Sequence, residues 1–100
     1  MGQKQRQTMN GARLTIEALR REGVKYVFGL PGTTIMPLLD ELYGHDQIRF
    51  ISVRHEQTAS FMADGYSRAA RDGDLGVCLA SRGPGAANMA IGLHNAYAES

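Results

Sequence analysis

Arg54, His55 and Glu56 stand together in "ISVRHEQTAS", directly after an apolar, β-branched run that reads as a buried strand. A carboxylate and an imidazole at the end of a strand suit proton transfer or hydrogen bonding to a ligand, and the guanidinium beside them suits an anion. Glu56 is the strongest single candidate. At the start of a helix the macrodipole favours its charged form by a few tenths to about 1 kcal/mol, so a purely structural first-turn acid is a fair reading. Burial beside a strand works the other way, raising a carboxyl pKa and readying it to share a proton with a ligand nitrogen. His55 is a candidate ligand group or base, although a lone histidine beside a strand end is more often structural. His45 and His94 have less context still.

Two Gly-Pro segments follow other apolar runs. In "SRGPGAAN", Gly83 and Gly85 permit tight or left-handed backbone, and Pro84 offers an apolar ring with no competing donor. Asn88 falls in the first turn of the next helix, where its amide can donate or accept. An ordinary strand-to-helix turn explains the same spacing equally well. In "GLPGTT", Pro31 and Gly32 suit close approach to a ligand, or Gly32 and Thr33 merely begin a helix. Neither segment is a good dinucleotide fingerprint, and no Gly-Lys-Ser/Thr occurs for a P-loop. The histidines lack metal-ligand spacing such as HExxH, so no protein-built metal site is expected. No Gly-x-Ser-x-Gly elbow supports a serine hydrolase.

The elements that must position these residues alternate regularly. Asn10 is a plausible N-cap for a helix in which Ala12, Ile16 and Leu19 recur at helical spacing until Gly23. "VKYVFGL" reads as a strand. "GTTIMPLLDELYG" reads as a helix capped by Thr33 or Thr34, with Ile35, Leu38, Leu39 and Leu42 as its apolar stripe and Gly44 as its stop. "IRFISV" is a second strand, and residues 55 to 71 form a helix with Ala59, Met62, Ala63, Tyr66 and Ala70 on one side. "LGVCLA" is a third strand, followed by the helix "AANMAIGLHNAYAES", whose small residues invite close approach. Strands joined by such helices form right-handed crossovers, so the predicted fold is α/β: a three-layer, doubly wound parallel sheet, incomplete with three strands. The "GLPGTT", "RHEQ" and "SRGPG" loops then share one sheet edge, where such folds bind ligands.

Composition narrows the partners. With 43% hydrophobic residues in 100 and a net charge of +1, the chain suits one small core and has no basic field for nucleic acid. Cys78 is the only cysteine, inside an apolar run, which fits a reducing, cytoplasmic setting. No apolar stretch reaches the roughly 20 residues of a membrane span, and residues 1–9 read as a flexible polar tail. Two free sheet edges imply either a larger sheet or a partner that covers them.

Taken together, "VFGLPG", "RHEQ" followed by "MADGY", and "GPGAAN" at these intervals resemble the N-terminal pyrimidine-binding (PYR) domain of thiamine-diphosphate-dependent enzymes of the acetolactate synthase and pyruvate oxidase group. The resemblance covers about residues 11 to 100, so residues 10–100 are expected to form part of such a domain. It implies that Glu56 hydrogen-bonds N1′ of the cofactor's aminopyrimidine, favouring the imino tautomer whose 4′-nitrogen takes the proton from thiazolium C2 to give the ylid. By the same resemblance Pro31, Gly32, Pro84 and Asn88 border the aminopyrimidine or the wall of the site. It implies thiamine diphosphate with Mg²⁺ as cofactor, the metal ligands lying in a diphosphate-binding domain outside this sequence, and it leaves FAD open. A 2-oxo acid is the implied substrate, and a homodimer or homotetramer built through the small-residue helices the implied assembly. The reaction implied is a carboligation or decarboxylation, of transferase or lyase type, with the 100-residue chain inactive alone. Glu56 argues against the glyoxylate carboligase branch, which lacks this acid, while Arg82 stands where many relatives have a small residue.

Two other readings exist. An NADP-type nucleotide-binding module would use Arg54 at a 2′-phosphate, against the missing glycines. A non-catalytic interaction module would use the exposed edges and the small-residue helices.

Overall fold

The structure, a computed structural model, describes residues 10–70 and 72–99. The polar tail expected at residues 1–9 lies outside the described residues.

Helix α1 spans Gly11–Arg21, and the Asn10 side chain caps it by accepting from the Arg13 amide at 3.0 Å. Its end is set locally. Gly23 has φ +80°, which only glycine adopts without strain, and this lets the Gly23 amide reach the Arg20 carbonyl at 3.0 Å and the Val24 amide the Leu19 carbonyl at 3.0 Å. Arg20 and Arg21 in the last turn complement the helix dipole.

Strand β1 is Tyr26–Gly29, β2 is Arg49–Ser52 and β3 is Val77–Leu79. All pair in parallel in the order β2-β1-β3, with Val27 opposite both Phe50 and Val77. The α/β sheet is open and incomplete, as the alternation of elements predicts. Side chains alternate across it. Val27 joins Ile16, Val24, Leu42 and Ile48 in one buried cluster, while Phe28 joins Val53, Ala59 and Ala63 in another.

The predicted helix from Gly32 to Gly44 is two pieces: a 3₁₀ turn at Thr33–Ile35, then α2 at Met36–Tyr43. Pro37 lies in the first turn of α2; its ring and missing N–H oppose an α ladder running back through Thr33. Neither Thr33 nor Thr34 caps a helix, contrary to expectation, because Thr34 uses its hydroxyl elsewhere.

Helix α3 spans Glu56–Ala69 and α4 spans Arg82–Glu99. Helices α1 and α2 cover one face of the sheet and α3 the other, while α4 packs chiefly on α3. Helix α4 begins at Arg82 rather than at the expected Ala86, so "RGPG" is its first turn and not a loop. Proline is tolerated there because the first N–H groups of a helix have no intrahelical partner. The left-handed residue of this turn is Arg82, at φ +62°, and neither Gly83 nor Gly85 takes a positive φ. For a side chain with Cβ that backbone costs roughly 1–2 kcal/mol. Arg82→Gly is therefore expected to raise stability by about 0.5–1 kcal/mol, the greater freedom of unfolded glycine offsetting the rest. Urea denaturation would measure it.

The α3–α4 seam depends on small residues. A Cβ on Gly92 would lie 2.6 Å from the Ser60 Cβ. Asn95 donates to Asp64 at 3.2 Å across the seam, and Arg68 holds the same carboxylate at 3.0 Å. At the opposite sheet edge, Asp74 pairs with Lys25 at 3.1 Å and accepts from the Tyr66 hydroxyl at 3.2 Å. Cys78 is half-buried on β3, and burial pushes its thiol pKa up, in keeping with an inert packing residue.

Candidate functional site

At the C-terminal ends of the strands the chain leaves β1 toward α2 on one face, and leaves β3 toward α4 on the other. Neighbouring parallel strands with connections on opposite faces open a crevice between them. Residues from all three expected loops meet there. Thr34 and Ser81 hydrogen-bond through their hydroxyls, tying the segment after β1 to that after β3. Gly32 makes this approach feasible, since a Cβ on it would stand 2.6 Å from the Ser81 Cβ.

Glu56 is the first residue of α3. The residue before it, His55, is the N-cap: its Nδ1 accepts from the Gln57 amide at 3.0 Å, which leaves Nε2 to carry the proton when the ring is neutral. His55 thus has the structural role of an N-cap. Asn88, one face of α4 away, donates its side-chain amide to Glu56 Oε1 at 3.1 Å. Gly85, a turn earlier, is buried, and a Cβ on it would sit 3.2 Å from Glu56 Oε2 and 3.3 Å from the Ala80 Cβ.

The opposition between burial and charge stabilisation at Glu56 is decided by these contacts. The Asn88 amide, then Glu56's own backbone N–H, and more weakly the charge of His55 hold the carboxyl below the usual range, outweighing the upward push of burial. A depressed folded-state pKa means that this group contributes stability above its unfolded value of about 4.3, lost as pH falls through the lower folded value. Glu56→Gln is accordingly expected to flatten the fall of melting temperature on the acid side of about pH 4.3 while leaving the profile nearer neutrality parallel to wild type. Thermal scans between about pH 2 and 7 would check this.

Of the residues singled out in the sequence, Glu56 and Asn88 are joined directly. Gly32 touches the third segment, not Glu56. Pro31 and Pro84 are exposed near the same sheet edge, Pro84 inside the first turn of α4. Arg54 is exposed and forms no ion pair among the described residues. Ser81 was given no role by its sequence context, Thr34 only that of a cap and Gly85 only that of a permissive loop glycine; the pairing of β1 with β3 brings Ser81 to Thr34, and the packing of α4 on α3 brings Gly85 to Glu56. Among the described residues no cluster of three or more His, Cys, Asp or Glu could hold a metal ion, and no helix is long and apolar enough to cross a membrane.

Glu56 thus presents a half-buried carboxylate held by the Asn88 amide, with Gly85 packed against its second oxygen. Residues 9–100 match the family model described as thiamine pyrophosphate enzyme, N-terminal TPP binding domain. The chain is 47% identical over 92 residues to a probable acetolactate synthase large subunit of Methanocaldococcus jannaschii, covering 92% of this chain and 15% of that protein. It is 48% identical over 92 residues to the acetolactate synthase isozyme 2 large subunit of Escherichia coli, covering 92% and 16%. To the acetolactate synthase of Arthrospira platensis it is 47% identical over 95 residues, covering 92% and 16%. The chain thus spans about one sixth of the length of these relatives. It belongs to the thiamine pyrophosphate enzyme family, within the N-terminal TPP binding domain.

Proposed function

We propose that this chain forms the aminopyrimidine side of a thiamine-diphosphate site in an acetolactate-synthase-like enzyme acting on 2-oxo acids. The observation that carries the reading is the Glu56–Asn88 pair in the crevice of a sheet whose sequence matches the TPP binding domain. When bound, thiamine diphosphate supplies the carbanion chemistry by which bonds next to a carbonyl are cleaved or joined. Glu56 meets ring nitrogen N1′ and holds a proton there. Water now solvates part of that carboxylate. Covering it with the ring removes this water and moves its pKa upward, toward sharing the proton.

Gly32 lets the segment after β1 close on Ser81 and frames one side of the crevice, with Pro31 and Pro84 as apolar rims. The Mg²⁺ and diphosphate contacts belong to residues outside this sequence, so the 100 residues alone are expected not to turn over pyruvate. Assembly with a second copy uses the outer faces of α3 and α4, where Phe61, Met62, Ile91, Leu93 and Tyr97 are exposed. A reducing, cytoplasmic setting is part of the same reading. Titration calorimetry of the intact protein with thiamine diphosphate and Mg²⁺ tests it: saturable binding that weakens when a side chain is added at Gly32 is expected, and absence of binding would overturn it.

A further inference from the structure

The carboxylate of Glu56 has two oxygens, and both are met by α4. Oε1 accepts from the Asn88 amide at 3.1 Å, and Oε2 lies where a Cβ on Gly85 would stand only 3.2 Å away. The two positions are three apart on α4, which places them on one helix face. Helix α4 therefore offers a donor to one oxygen and a close approach of bare backbone to the other. A carboxylate on a flexible two-carbon stem turns freely unless something fixes its plane, and proton sharing with a ring nitrogen demands one orientation.

We propose that Asn88 is a positioning residue, which with the bare Gly85 fixes the rotation of the Glu56 carboxylate so that it meets a ligand nitrogen in plane. This rests on the reading that Glu56 meets the cofactor's pyrimidine, and it assigns Asn88 to the glutamate rather than to the ring. Few other charges act on the carboxylate. Arg54 and His55 precede it on its own segment, residues 30–35 carry no ionisable side chain, and the first turn of α4 contributes only Arg82.

Asn88→Asp tests this in the intact protein, because it keeps the shape of the side chain and replaces a donor by a charged acceptor. Two readouts apply: titration of the Glu56 carboxyl, followed by infrared difference against Glu56→Gln with carboxyl-labelled glutamate, and C2 proton exchange of bound thiamine diphosphate. The expected result is a titration moved upward and exchange slowed by about 10-fold or more, in line with loss of a hydrogen bond to a charged group. Asn88→Ala, which removes the donor without adding charge, should move both in the same direction by less. Gly85→Ala, whose Cβ would press on Glu56 Oε2, should slow exchange in the same direction.

Wild-type titration and exchange in both Asn88 variants would overturn the positioning role, even if Glu56→Gln slows exchange. If Glu56→Gln itself leaves exchange unchanged, the cofactor reading fails instead, and the shift in Glu56 titration alone then decides whether Asn88 governs the carboxylate.

Discussion

Replacing Glu56 by Gln in the intact protein is expected to slow proton exchange at C2 of bound thiamine diphosphate by between about 10²- and 10⁴-fold, the range over which a positioned acid–base group contributes. The substitution is close to isosteric. Its amide oxygen still accepts from Asn88, so the α3–α4 seam and the crevice keep their shape, and cofactor affinity should change far less than exchange. What is lost is the ability to hold a proton at the ring nitrogen. The wild-type group begins as a carboxylate, held charged by Asn88 and its own amide. Hydrogen–deuterium exchange by rapid quench, with affinity measured in parallel, separates the two effects. Equal exchange in the two proteins would remove Glu56 from the chemistry.

The largest effect on stability is expected at Gly92. A Cβ there would stand 2.6 Å from the Ser60 Cβ and 3.1 Å from the Ser60 backbone carbon, and would overlap the Ser60 hydroxyl. Ser60 is 2% exposed and its hydroxyl donates to the Gln57 carbonyl at 2.9 Å, so it has nowhere to move. Gly92→Val adds two methyls to that contact, and α4 must lift from α3. A cost of about 2–3 kcal/mol follows from overpacking. The same displacement pulls on Asn95–Asp64 and Asn88–Glu56, so acid–base function should fall with stability. Denaturant unfolding of Gly92→Val, of Ser60→Gly and of the two combined gives a double-mutant cycle, and partial recovery in the pair would locate the strain at this contact.

Much of the fold was legible because local chemistry dictated it. Asn10 and Gly23 bracket α1 with a cap and a left-handed turn that need only their own neighbours. The alternation of apolar runs with helical stripes sufficed for a parallel α/β sheet, since short strands separated by helices close in no other common way. Less was legible where a residue's partner lies far along the chain. Thr34 reads as a cap until β3 brings Ser81 beside it, 47 residues on. Gly83, Pro84 and Gly85 read as a loop on propensity alone, yet they form the first turn of α4 because proline loses nothing there and Gly85 must clear Glu56.

By itself, then, the sequence determined the class of fold, the place of Glu56 at a helix start beyond a strand, and the family, since each is written in local patterns and their spacing. Tertiary structure alone decided the order β2-β1-β3, the closure of Gly32 on Ser81, and the hand of Asn88 on the glutamate. It also supplied the largest of the contacts that lower the Glu56 pKa. Burial and charge stabilisation oppose each other at this residue; the donor arriving from 32 residues away favours the carboxylate most, and Glu56's own backbone N–H comes next.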